Sequence, residues 1–236
     1  SLAGAAVYWQ ADIHGHVRAG KIMLYDPATG KRRKDGRSMS FVHFENTGRN
    51  AAELNVVQCL FGEHLLKTWP MDTPVAVVES EKTAMIAAAL MPTFRWMAVG
   101  SVGGFNLDKL QALTGRKGLA FPDLSRDGSA FAKWKEKAVE IGHLFDAVHV
   151  SDMLERIATD ADRDAGLDIG DYLLRPVADA THTVNPSVDI PAMILTDAEI
   201  LLRRMAERNP AINTLVDMLD LDLSTANITN LNTSRP

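Results

Sequence analysis

Two carboxylates occupy positions from which phosphate chemistry is commonly built. Glu79 comes directly after the apolar run Val75-Ala76-Val77-Val78 and precedes the alanine-rich run Lys82 to Leu90, while Asp123 comes after Leu119-Ala120-Phe121. Each sits at the carboxyl end of a strand-like run, the edge at which open parallel α/β sheets bind ligands. Oxygen donors of this kind suit Mg2+ or Mn2+, which takes one or two protein carboxylates and completes its shell with water and phosphate. An ion so held supports phosphoryl or nucleotidyl transfer by neutralising charge as it develops. Asp127 and Asp168 are candidate further ligands or general bases. The competing reading of Glu79 is a carboxylate that only favours the first turn of a helix through its dipole.

Candidate phosphate contacts are cationic. The one dense basic run is Lys31-Arg32-Arg33-Lys34-Asp35-Gly36-Arg37. It is either a solvated loop or a contact to a nucleic-acid backbone, where clustered Lys and Arg release counterions. Lys82, in the first helical turn after Glu79, and Arg126, in the polar loop after Asp123, are further candidates. His14 and His16 flank Gly15 in a hairpin-like gap and read as exposed polar residues before they read as metal ligands.

The whole chain limits these choices. Its 236 residues are 46% hydrophobic and carry a net charge of −5, so a real core is possible and no broad attraction for polyanions exists. Nucleic acid would have to meet a local patch. No apolar run is long enough to span a bilayer and no signal segment opens the chain, which implies a cytoplasmic protein without membrane contact. Cys59 is the sole cysteine, excluding an internal disulfide or a thiolate zinc cluster within this chain. The opening Ser-Leu-Ala-Gly, without methionine, is what a piece of a longer protein would show.

The positioning elements can be read from pattern. Ala6 to Ile13 and Val17 to Tyr25 are expected to form a β-hairpin, and Phe41 to Phe44 a short strand. Asn55 is expected to cap a helix running toward Leu66. Strands are expected at 75–78, 95–99, 119–121 and 147–150, with helices at 80–90, 107–113 and 131–144 between them. That alternation predicts a parallel sheet of about four strands covered on both faces. The acidic stretch from Asp160 to Asp171 resembles a calcium loop only superficially, with Ala165 where glycine and Asp171 where glutamate are needed. It reads as an acidic loop entering a short helix. The expected organisation is a hairpin and helix subdomain over 1–73, an α/β domain over 74–176, and a linker with a helical tail over 177–236.

Four segments together resemble a Toprim domain, the catalytic fold shared by topoisomerases, bacterial-type primases and certain nucleases. They are Val77-Val78-Glu79-Ser80-Glu81-Lys82-Thr83-Ala84, Val99-Gly100-Ser101-Val102-Gly103-Gly104, Phe121-Pro122-Asp123 and Leu167-Asp168-Ile169-Gly170-Asp171-Tyr172-Leu173. The nearer likeness is to primase-like (DnaG-type) Toprim proteins of mobile elements, phages and plasmids, to which Tyr8-Trp9-Gln10 and Gln58 to His64 are also similar. The resemblance implies that Glu79 is the family's acid or base near the metal and that Asp123 is the first aspartate of its DxD motif, a magnesium ligand. It further implies DNA, single-stranded, as partner, and a helicase or other replication protein as company. Ser125 stands where the second aspartate is expected, and Ser80 where the first motif has glycine. Two functions stay open: Mg-dependent nucleotidyl or phosphodiester transfer, or a Toprim-like module that positions DNA without chemistry.

Overall fold

The hairpin expected at the start of the chain forms as β1 (Ala6–Ala11) and β2 (Val17–Met23), antiparallel with Trp9 opposite Gly20 and Tyr8 opposite Lys21. The structure is a computed structural model that describes residues 2–34 and 36–175. Asp12 makes the hairpin turn, its Oδ1 accepting the His14 and His16 N–H groups at 2.9 Å each. A third strand, β3 (Met39–Phe41), pairs with β2 to complete a three-stranded sheet. Beyond Phe41 the chain turns into α1 (Val42–Thr47) instead of continuing as a strand. The apolar alternation there is too short to choose between the two periods, and Val42 on a helix packs over Gly20.

The helix expected from Asn55 does not form. Asn55 adopts a left-handed φ of 50°, Phe61 bridges antiparallel to Ala98, and only a short 3-10 turn at Glu63–Thr68 comes next. Tertiary bonds win over local propensity, because the buried Glu63 carboxylate accepts the Leu60 and Ile13 N–H groups at 3.1 Å each.

From Val75 the expected alternation appears. In chain order it consists of β4 (Val75–Val78), α2 (Glu81–Leu90), β5 (Arg95–Ala98), α3 (Leu107–Leu110), β6 (Lys117–Phe121), α4 (Ser129–Ile141) and β7 (Ala147–Val150). Ser80 is the N-cap residue of α2, and Asn106 caps α3 by accepting the Lys109 N–H. The four strands form an all-parallel sheet in the order β5-β4-β6-β7. This is the α/β architecture expected, with a preceding antiparallel sheet.

Every residue of β4 is buried. Val75 and Val77 join one core with Leu110, Leu113, Trp134 and Ile141 from α3, α4 and their neighbourhood. Ala76 and Val78 turn to the opposite face, where right-handed crossover places α2. Phe105 stacks on Trp134 at 4.3 Å between ring centroids, fixing the loop after β5 against α4.

After β7 come α5 (Met153–Ile157), α6 (Asp160–Ala165) and α7 (Ile169–Leu173). The acidic stretch thus starts as a helix, with Thr159 and Asp162 closing a capping box. One unit of the chain runs from Ser1 to Gly170 and another from Asp171 to Pro236. The helical tail expected beyond residue 177 lies outside the described residues.

Candidate carboxylate site

β4 lies beside β6, and the crossovers that leave these two strands run in opposite directions, to β5 and to β7, which makes their carboxyl ends the switch point at which sheets of this kind form a crevice. Glu79 and Asp123 flank that switch point. Val78 is paired with Phe121, and the Asp123 N–H donates to Glu79 Oε1 at 3.4 Å. The sequence placed both at strand ends. Only the strand order makes them neighbours.

Asp168 comes to the same edge from 45 residues beyond Asp123 in the sequence. Its Oδ2 accepts the Thr83 Oγ1–H at 2.5 Å, which ties the loop before α7 to the first turn of α2. Burial pushes the Glu79 carboxyl up to about 7; the Asp123 N–H draws it down, the Asp168 charge raises it and Lys21 lowers it. A carboxyl at that level exchanges protons near neutral pH, the property a general acid or base requires.

Asp127 is placed differently. It is exposed in the turn before α4, where its Oδ1 accepts the Ser129 N–H at 3.1 Å. Ser125, two residues after Asp123, is bonded to the same helix, its Oγ accepting the Ala130 N–H at 3.0 Å. Among the described residues no three His, Cys, Asp or Glu side chains converge into a ready-made metal cage. By donor chemistry the adjacent carboxylates of Glu79 and Asp123 suit a hard divalent ion of the magnesium class, which takes one or two protein carboxylates and would complete its shell with water or phosphate oxygens.

The cationic candidates divide. Lys82 lies with its Nζ 5.9 Å from the centre of the Tyr25 ring, facing the N-terminal sheet. Lys31, Arg32, Arg33 and Lys34 are all exposed and line, with Asp26, Pro27 and Thr29, an open depression of about 510 Å³. Arg126 is exposed and pairs with Asp164 at 2.6 Å.

Sequence reasoning missed a buried polar group beside the site. Lys21 of β2 crosses to the parallel sheet and donates to Glu81 Oε2 and to the Gly100 carbonyl, both at 2.8 Å. Lys109 of α3 donates to the Val99 carbonyl at 2.7 Å and to Gln58 Oε1 at 2.9 Å. Its ammonium is lowered by burial, against which the Glu81 charge acts to raise it. The available signal was a lysine set between Gly20 and the apolar pair Ile22-Met23.

Residues 1–124 match the family described as "Domain of unknown function (DUF6371)". The chain belongs to that family. The matched span takes in both sheets as far as the end of β6, and with them Lys21, Glu79, Glu81 and Asp123 of this DUF6371 member. No curated protein matches the chain. Among solved structures it is similar to the primase fragment of the bacteriophage T7 primase-helicase protein, at 14% identity and a TM-score of 0.38 over 61% of this chain and 51% of that one. It is similar also to the RNA polymerase domain of Mycobacterium tuberculosis primase DnaG, at 13% identity and a TM-score of 0.40 over 69% of this chain and 54% of that one. The chain therefore spans about half the length of these two structures.

Proposed function

We propose that the crevice at the ends of β4 and β6 binds Mg2+ or Mn2+ together with a nucleic-acid phosphate, and that the protein is a primase-like Toprim enzyme of a mobile genetic element. The observation that carries this reading is the adjacency of Glu79 and Asp123 at the switch point of the sheet. Glu79, Asp123 and Asp168 would hold the ion, which supplies charge neutralisation at a phosphoryl group. Glu79, at the same strand end, would accept or return the proton of an attacking hydroxyl. Asp168 is steadied by Thr83, and the exposed run Lys31 to Lys34 would track the backbone of single-stranded DNA. A helicase or other replication protein would be the working partner.

One observation favours a second reading. Ser125 stands where a DxD pattern would carry its second carboxylate, and its Oγ accepts the Ala130 N–H of α4. On that reading the domain positions DNA without chemistry.

Mn2+ binding at neutral pH, with and without a short single-stranded oligonucleotide, separates the two. Stoichiometric binding by the wild type that is lost in Glu79→Gln and Asp123→Asn supports the metal-dependent enzyme. DNA binding without any Mn2+ binding supports the second reading.

A further inference from the structure

Burying two ammonium groups and a carboxylate side by side costs desolvation that apolar side chains of similar size would avoid, so such a group is weak evidence of a stabilising device. Its geometry shows what it holds. Lys21 Nζ donates to the Gly100 carbonyl, and the Gly100 N–H donates to the Glu79 carbonyl at 2.7 Å. Lys109 grips the preceding carbonyl, that of Val99, so two consecutive peptide units at the end of β5 are each held by a lysine.

Glu81, 1% exposed, anchors Lys21 from the first turn of α2, two residues after Glu79. Gly100 has a φ of +87°, and a Cβ there would sit 3.2 Å from Glu81 Oε1 and 3.7 Å from Lys109 Nζ. The group therefore fits around a backbone that only glycine adopts readily.

We propose that Lys21 is a positioning residue of the carboxylate site: by holding the Glu81 carboxylate and the Gly100 carbonyl together, it fixes the turn that carries Glu79 against Asp123. The N-terminal sheet is then a component of the site and not an accessory to it. This rests on reading Glu79 and Asp123 as the site.

Residue-resolved amide hydrogen exchange on the full 236-residue chain tests it. The Gly100 N–H reports the bond to the Glu79 carbonyl, and the Asp123 N–H reports the Glu79 side chain. The double variant Lys21→Met/Glu81→Gln removes both charges, so no buried carboxylate is stranded. Expected is exchange at Gly100 and Asp123 about tenfold faster, the scale of one lost charge-assisted bond, with Val77 and Ala120 unchanged. Unchanged exchange at Gly100 and Asp123 overturns the proposal. If the double variant loses protection throughout, the same two rates in Lys21→Gln decide the question in the same way.

Mn2+ titration of these variants keeps the two claims apart. Positioning predicts about tenfold weaker Mn2+ binding alongside the faster exchange. A wild type that binds no Mn2+, with or without DNA, overturns the metal reading alone, and the exchange rates still decide the role of Lys21.

Discussion

Thr83 Oγ1 donates to Asp168 Oδ2 at 2.5 Å across 85 residues of sequence, and both residues are buried. Thr83 and Glu79 lie on either side of the start of α2, so this bond joins the acidic loop before α7 to the element that carries the candidate base. Replacement of Thr83 by the near-isosteric Val removes the donor and little volume. The expected loss is about 2 kcal/mol, the scale of a hydrogen bond to a charged group, read as a lowered midpoint in urea unfolding. An unchanged midpoint would show that other contacts hold Asp168.

Glu79 makes a pH-dependent contribution whose sign is set by its raised carboxyl. The folded state holds this proton up to about 7, against an ordinary value of 4.5. Between those values the folded state binds more protons than the unfolded state, so this contribution to stability falls as pH rises and is flat below the window. Glu79→Gln is expected to remove that slope and to stabilise the protein at pH 8 by up to roughly 3 kcal/mol. Unfolding free energies of wild type and variant from pH 4 to pH 8 check it.

Proton competition gives the same group a second signature. Mn2+ affinity should rise with pH through about 7, as Glu79 loses its proton. Asp168→Asn, which removes a charge that raises the Glu79 carboxyl, should shift the midpoint of that rise to lower pH. Isothermal titration across that range reads both. An upward shift in the variant would contradict the assigned proximity of the two carboxylates.

The basic run is testable apart from the metal. Replacing Lys31, Arg32, Arg33 and Lys34 with Ala should weaken single-stranded DNA binding and flatten its salt dependence by about 0.7 for each residue that neutralises a phosphate. These side chains are exposed, so thermal stability should stay within about 0.5 kcal/mol of wild type. An unaltered salt slope assigns the run to solvent.

Gly100→Ala tests the backbone that the two lysines grip. Its φ of +87° and the 3.2 Å approach of Glu81 Oε1 to the added carbon should cost about 1–3 kcal/mol. Gly104→Ala meets the Val99 carbonyl oxygen at 2.3 Å and should be the more damaging of the two, because backbone cannot yield as a side chain can. Comparative thermal unfolding orders the pair.

The sequence by itself determined the elements whose signals are local. β4, α2, α3, α4 and the hairpin were legible because apolar runs, Asn106 as a cap and a Gly-containing turn act over a few residues. Glu79 and Asp123 were legible as strand-end carboxylates for the same reason. The tertiary structure alone decided that β4 and β6 are neighbours, since strand order depends on which crossovers bury both faces of the sheet. It also overruled the helix from Asn55, where the Ile13 N–H bond to the Glu63 carboxylate and the Phe61 bridge to Ala98 supply non-local bonds that no window of sequence contains. Lys21, Glu81 and Lys109 stayed hidden for a related reason. A lysine or glutamate is assigned to solvent by default, and its burial becomes visible only when partners distant in the chain, such as Gly100 for Lys21, are brought to within 2.8 Å.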